Sequence, residues 1–296
     1  PYSTRHYALA DEFGKYMHCE VFGISTSSAE CLFDHPNAHL VSTSFWHSFP
    51  TENFWANPNY PNLDYADVHA YISTGWLDDP EHEDSASAYH LDYGRDARTR
   101  LNNQTDINAT LPIIRGEAGI DYLDQQVEQT GLSLDANGVW LHNYLWASLD
   151  GNALIEEYWW TKNLKQQPGP DGDSGLHEIF GYFTEFIRDI PLNNGYYQEA
   201  NATASNPALT IVGQKDTAHN RAHLWIKHQN HTWRNVVDGA SEISGLSGSV
   251  TVDGFSPNTS FTIEWHEFTT LGLPSVRYSS ISSNSNGTLV ISLPTA

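Results

Sequence analysis

The sequence predicts an α/β region followed by an all-β region, on three observations. Over residues 1–194, short apolar segments alternate with helical stretches, the pattern of parallel β/α architecture. Polar residues gather at the C-terminal ends of those apolar segments, where β/α barrels place their chemistry. After about residue 195 the segments alternate or run apolar between Gly, Asn, Ser and Pro turns. No helical stretch is read there, so residues 195–296 are expected to form a β-sandwich.

The elements follow in order. Tyr7, Leu9, Phe13, Tyr16 and Met17 recur at roughly helical spacing and predict a helix over 1–18. A loop carrying Cys19 and Cys31 follows. Strands are expected over 40–46, 66–72, 111–117 and 153–160. Helices are expected over 86–101, over 139–150 as a buried helix stopped by Gly151, and over 176–190, where Leu176, Ile179, Phe180, Phe183, Phe186 and Ile187 form an apolar stripe. In the all-β region, strands are expected over 208–214, 222–228, 249–255, 261–268 and 288–293.

Composition narrows the class of partner. The 296 residues carry a formal net charge of −22, with 17% charged residues, 10 Trp, 15 Tyr and 12 Phe. Such an acidic surface repels nucleic acid and anionic membranes. Many aromatics with few cations suit neutral sugars, although most of these rings are accounted for by an ordinary core. No apolar run is long enough to span a bilayer. The first residue, Pro1, is not an initiator Met, so the chain is expected to begin after processing or to be a fragment. Cys19 and Cys31 close a short disulfide loop if the compartment is oxidising, and are buried thiols otherwise. Six N-glycosylation sequons stand at Asn103, Asn108, Asn201, Asn230, Asn258 and Asn286, against roughly three or four expected by chance in so Asn-rich a chain. These features point to a secreted glycoprotein.

Four motifs carry a resemblance. Leu111-Pro-Ile-Ile-Arg-Gly-Glu-Ala-Gly-Ile120 resembles the seventh strand of clan A glycoside hydrolases, the family 5-like (β/α)8 barrels. That strand ends in the nucleophilic Glu, here Glu117. Asp67-Val-His-Ala-Tyr71 looks like the sixth strand, Glu157-Tyr-Trp-Trp160 like the eighth, and His39-Leu-Val-Ser-Thr-Ser-Phe45 like the fifth. Leu141-His-Asn-Tyr-Leu-Trp-Ala-Ser-Leu149 looks like the helix after strand seven. The stretch from Gly254-Phe-Ser-Pro-Asn258 to Leu289-Val-Ile-Ser-Leu-Pro294 resembles the sandwich that follows such barrels. The resemblance implies half of a (β/α)8 TIM barrel, strands five to eight, over 1–194, and a β-sandwich over 195–296. It also implies a retaining hydrolase of β-glucan or β-mannan, without cofactor.

On this resemblance Glu117 is the nucleophile, Tyr71 orients it, and His69 contacts a sugar hydroxyl. Trp160 is the stacking platform with Trp159 next, and Trp46 and His47 are subsite residues. Alternation places Arg115 on the face of Glu117, where it helps hold the carboxylate ionised. The clan's acid/base Glu usually follows an Asn at the end of strand four, and no Asn-Glu pair occurs in this chain. A companion chain or upstream segment completing strands one to four and carrying that Glu is therefore expected. The alternative is a catalytically inactive glycoprotein serving a structural or sugar-binding role in an extracellular assembly.

Competing readings are weaker. Glu156 and Glu157 face opposite ways on one strand and are no acid/base couple. Glu20 is a poor substitute acid. The 15 His show no metal-binding spacing, and His228, His231 and Trp233 read as loop packing.

Overall fold

The computed structural model describes residues 4–25, 27, 37–45, 54, 57, 59–72, 113–120, 135, 137–149, 155–156, 159–160, 177–239, 246–267 and 275–294. They form four α-helices: α1 (Thr4–His18), α2 (Val139–Trp146), α3 (His177–Ile187) and α4 (Trp233–Val237). Five strands belong to one sheet: β1 (Ser44–Phe45), β2 (Ala66–Ile72), β3 (Ile113–Ile120), β4 (Ile155–Glu156) and β5 (Trp159–Trp160). Eight more follow: β6 (Gln198–Glu199), β7 (Thr203–Ala204), β8 (Leu209–Asp216), β9 (Arg221–His228), β10 (Ser249–Val252), β11 (Ser260–Glu267), β12 (Ser275–Ser282) and β13 (Leu289–Ser292).

This architecture corrects the expected fold class. Among the described residues strand and helix do not alternate as half of a (β/α)8 barrel requires. Among the described residues there are only four α-helices, and eight of the thirteen strands lie in small antiparallel sheets, so the protein is mostly β. The physical reason lies in the signal. A short apolar run is compatible with several sheet types, and its periodicity does not specify how it connects to its neighbours. Motifs of five to ten residues transfer an order of elements without transferring a fold.

The chain divides into two compact units: residues 1–72, 92–119 and 154–160, and residues 73–91, 120–153 and 161–296. In the first, β1 pairs with β2 in parallel, β3 lies next to β2, and β4 and β5 both pair with β3 in parallel. The helix α1 docks on the chain that enters β2. Its buried residues are Tyr7, Gly14 and His18, spaced seven and four apart and thus on one face. Tyr7 stacks on Phe54 at 4.6 Å and meets Tyr60 edge-on at 5.9 Å. Asp11 accepts hydrogen bonds from the backbone and side-chain nitrogens of Asn62, each 2.9 Å. A Cβ at Gly14 would stand 2.1 Å from the carbonyl oxygen of Asn62, so no larger residue permits this approach. Leu9, Phe13 and Tyr16 are exposed at 70%, 55% and 47%.

In the second unit, β6, β8 and β9 form one antiparallel sheet, β7, β10 and β13 another, and β11 and β12 a hairpin. Their common core is Val250, Val252, Phe255, Leu289 and Leu293, with Ile211, Leu224, Phe261 and Trp265 packed against it. Alternation decides which side of β9 meets this core: Leu224 and Ile226 face it, while His223, Trp225 and Lys227 are buried on the opposite side. There Trp225 meets His142 of α2 at 6.2 Å. The short helix α4, absent from the sequence expectation, starts at Thr232, whose side chain accepts from the backbone N–H of Asn235 at 3.2 Å, an N-cap.

Candidate functional site

The expected catalytic residues lie on adjoining strands of the parallel sheet. Glu117 and Arg115 are on β3, which has β2 on one side and β4 on the other. His69 and Tyr71 are on β2, two residues apart and therefore on one face of that strand. Register fixes the relation to β4 and β5. Arg115 is the Cα partner of Glu156, Ala118 of Trp159, and Gly119 of Trp160. Partners on neighbouring strands share a face, and so do residues two apart on one strand. Arg115, Glu117, Gly119, Glu156 and Trp160 are thus positions of one face, and Ala118 and Trp159 of the other. Trp46 and His47 lie outside the described residues, as do Cys31, Asn103 and Asn108. Cys19 is fully buried at the end of α1, and Glu20 is exposed.

Chemically, this face combines a carboxylate position, an aromatic position two residues further along the sheet, and an Arg–Glu register pair. Among the described residues no group of three or more His, Cys, Asp or Glu is arranged to hold a metal ion.

A second polar cluster escaped the sequence reading. His142 of α2 stacks on Trp146 at 5.5 Å and lies near His231 and Lys227. Burial, then the positive charge of those two neighbours, pushes the His142 imidazole down to about 3. His223 lies between Tyr197 (5.2 Å) and Phe186 (6.5 Å). Burial pushes it down to about 4, and neither ring nitrogen has a hydrogen-bond partner among the described residues. His231, read from sequence as loop packing, also has its imidazole shifted down, by burial first and then by Lys227 and His228. Its carbonyl accepts from the Asn143 amide at 2.9 Å. Asp135 accepts the backbone N–H of Trp140 at 3.0 Å. Burial pushes its carboxyl up to about 6 against the pull of the N–H groups of Trp140, Val139 and Gly138. The alternation His223–Trp225–Lys227 was the available signal for this cluster. Asp135 three residues before Gly138 and the apolar run was the signal for the start of α2.

No protein-family model, no curated protein and no solved structure matches the chain. The resemblance to clan A glycoside hydrolases is therefore corrected together with the fold it implied: no relative stands behind it, and most of the described strands lie in antiparallel sheets.

Proposed function

We propose that this chain contributes the nucleophile of a retaining hydrolase acting on neutral β-glycans, with Glu117 as that nucleophile. The observation that carries the reading is the register: Glu117 shares a face with Trp160 on an interior strand, beside the strand bearing His69 and Tyr71. The Glu117 carboxylate attacks the anomeric carbon, forming a glycosyl ester as the bond to the leaving oxygen breaks. A carboxylic acid about 5–5.5 Å away protonates that oxygen and then deprotonates the water that releases the ester. The register pairs Glu156 with Arg115 rather than with Glu117. In this reading the acid comes from a companion polypeptide or segment outside these 296 residues.

A 2-fluoro-glycoside with a dinitrophenolate leaving group needs no acid assistance, so it tests the nucleophile in this chain alone. The expected result is one covalent sugar on the peptide containing Glu117, absent from Glu117→Gln. An unlabelled protein that also hydrolyses no β-glucan or β-mannan overturns the reading. Retained binding to such glycans in that case would identify a sugar-binding glycoprotein of an extracellular assembly.

A further inference from the structure

The six sequons are only a sequence pattern, but the structure separates the described ones from every other asparagine around them. In the antiparallel region the asparagines outside sequons use their side chains to build turns. Asn206 accepts from Ala208 N and donates to Ser247 O. Asn220 accepts from Ser256 N and donates to its hydroxyl. Asn235 donates to Asn230 O, and Asn284 accepts from the backbone nitrogens of Asn286 and Thr288. The sequon residues differ. Among the described residues the amides of Asn258 and Asn286 engage no hydrogen bond, and Asn201 makes only a long one, 3.4 Å to Glu199 O. All three are exposed.

Backbone geometry explains part of this and leaves the rest. Asn201 and Asn258 have φ of 50° and 51°, a left-handed conformation that favours Asn. The turn at Asn286 requires Gly287, with φ of 77° and no room for a Cβ, which would stand 2.0 Å from Phe255 O. It requires nothing of the Asn286 side chain. The turns at Asn201 and Asn258 do not need the hydroxyl residue two places on: Thr203 and Ser260 are exposed. Asn230 is different, because its Thr232 is buried and caps α4.

The three residues also share a place. Thr203 at the start of β7 pairs with Thr251 near the end of β10, and Leu289 at the start of β13 pairs with Val252. Phe255 N donates to Gly287 O, and Asn258 N to Asn284 O, joining the loop before β11 to the loop before β13. Asn201, Asn258 and Asn286 therefore stand at one end of the antiparallel region. We propose that all three carry N-linked glycans, which coat this end and close it to protein contact.

The test is the full chain secreted from a eukaryotic host and treated with a peptide:N-glycosidase in 18O-labelled water. A mock-treated control accounts for spontaneous deamidation at Asn286-Gly287. We expect 18O-aspartate at positions 201, 258 and 286, and the loss of one glycan mass for each of Asn201→Gln, Ser260→Ala and Asn286→Gln. Substitution of the exposed Ser260 leaves Asn258 and its turn in place, so loss there reports the modification and not the fold. Absence of a glycan at any one of the three sites, in protein from a host that glycosylates a control, overturns the proposal.

Discussion

Two buried polar clusters, one in each compact unit, are held by different means. In the first unit's cluster His18 Nε2 lies 2.9 Å from Asp64 Oδ2, which also accepts Val41 N–H at 2.6 Å, and Asp64 N–H donates to Val41 O at 2.8 Å. One carboxylate thus ties the end of α1 to the segments entering β1 and β2. In the second unit, His142, His223 and His231 are held neutral by burial among rings and cations. A paired site fails when a partner is removed. A desolvated base fails when it is protonated. The His18–Asp64 cluster should therefore be sensitive to loss of a partner, and the cluster of His142, His223 and His231 to acid.

The largest effect is expected from Asp64→Ala, which removes the acceptor of both His18 and Val41 at a site only 7% exposed. Leaving a buried polar group without its hydrogen-bond partner costs about 1–3 kcal/mol, here at both His18 and Val41. Urea unfolding should show that loss, with Asp64→Asn recovering part of it because an amide oxygen still accepts the Val41 N–H. Equal stability of Asp64→Ala and the parent would break the comparison.

Acid provides the next test. A histidine whose pKa falls from 6.5 when unfolded to about 4 when folded, as at His223, binds fewer protons in the native state. Its stability contribution is complete above pH 6.5 and is lost as pH falls toward 4, by up to about 3 kcal/mol. His142 acts in the same sense down to about 3. Asp135 acts in the opposite sense. Raised from 3.8 to about 6, it stabilises fully below pH 3.8 and loses that contribution as pH rises through 6. Thermal unfolding from pH 7 to 4 should show a falling midpoint in the parent. His223→Phe should flatten the fall, and Asp135→Asn, which keeps an acceptor for Trp140 N–H, should steepen it. An unchanged acid limb in both variants would show that these groups do not titrate with unfolding.

The same contrast explains what the sequence disclosed. Element positions along the chain were legible: the helix expected over 1–18 runs Thr4–His18, the strand expected over 66–72 is Ala66–Ile72, and the helix expected over 176–190 runs His177–Ile187. Their assembly was not. On α1 the helical spacing of Leu9, Phe13 and Tyr16 did not disclose which side of the helix is buried. The buried stripe is Tyr7, Gly14 and His18, because Gly14 allows the helix to meet the Asn62 carbonyl and Asp11 and His18 find partners there. A partner 46 residues away, as between His18 and Asp64, leaves no periodic trace. β12 was missed because most of it is exposed, so its alternation marks no core-facing side. Of the candidate site, the strand positions of Glu117, His69, Tyr71 and Trp160 were legible. The placement of Glu117 and Trp160 on one face came only from register.

The smallest effect separates a buried charge from an exposed partner. Lys215 is buried at 8% side-chain exposure, while Asp253, 2.8 Å away, is 72% exposed. The ammonium also donates to the Asp253 carbonyl oxygen at 3.1 Å, a contact that survives loss of the carboxylate. Asp253→Ala should then cost no more than about 1 kcal/mol, the scale of a solvent-exposed pair. Its cost should shrink further in high salt, because an exposed carboxylate is screened. The carboxyl of Asp253 is held below the usual range by the Lys215 hydrogen bond and charge, so its contribution is present above the ordinary aspartate pKa and lost as pH falls below it. Urea unfolding at low and high salt measures this directly. A loss of several kcal/mol, insensitive to salt, would mean that Lys215 depends on the carboxylate as His18 depends on Asp64, and the distinction between the two units would fail at this position.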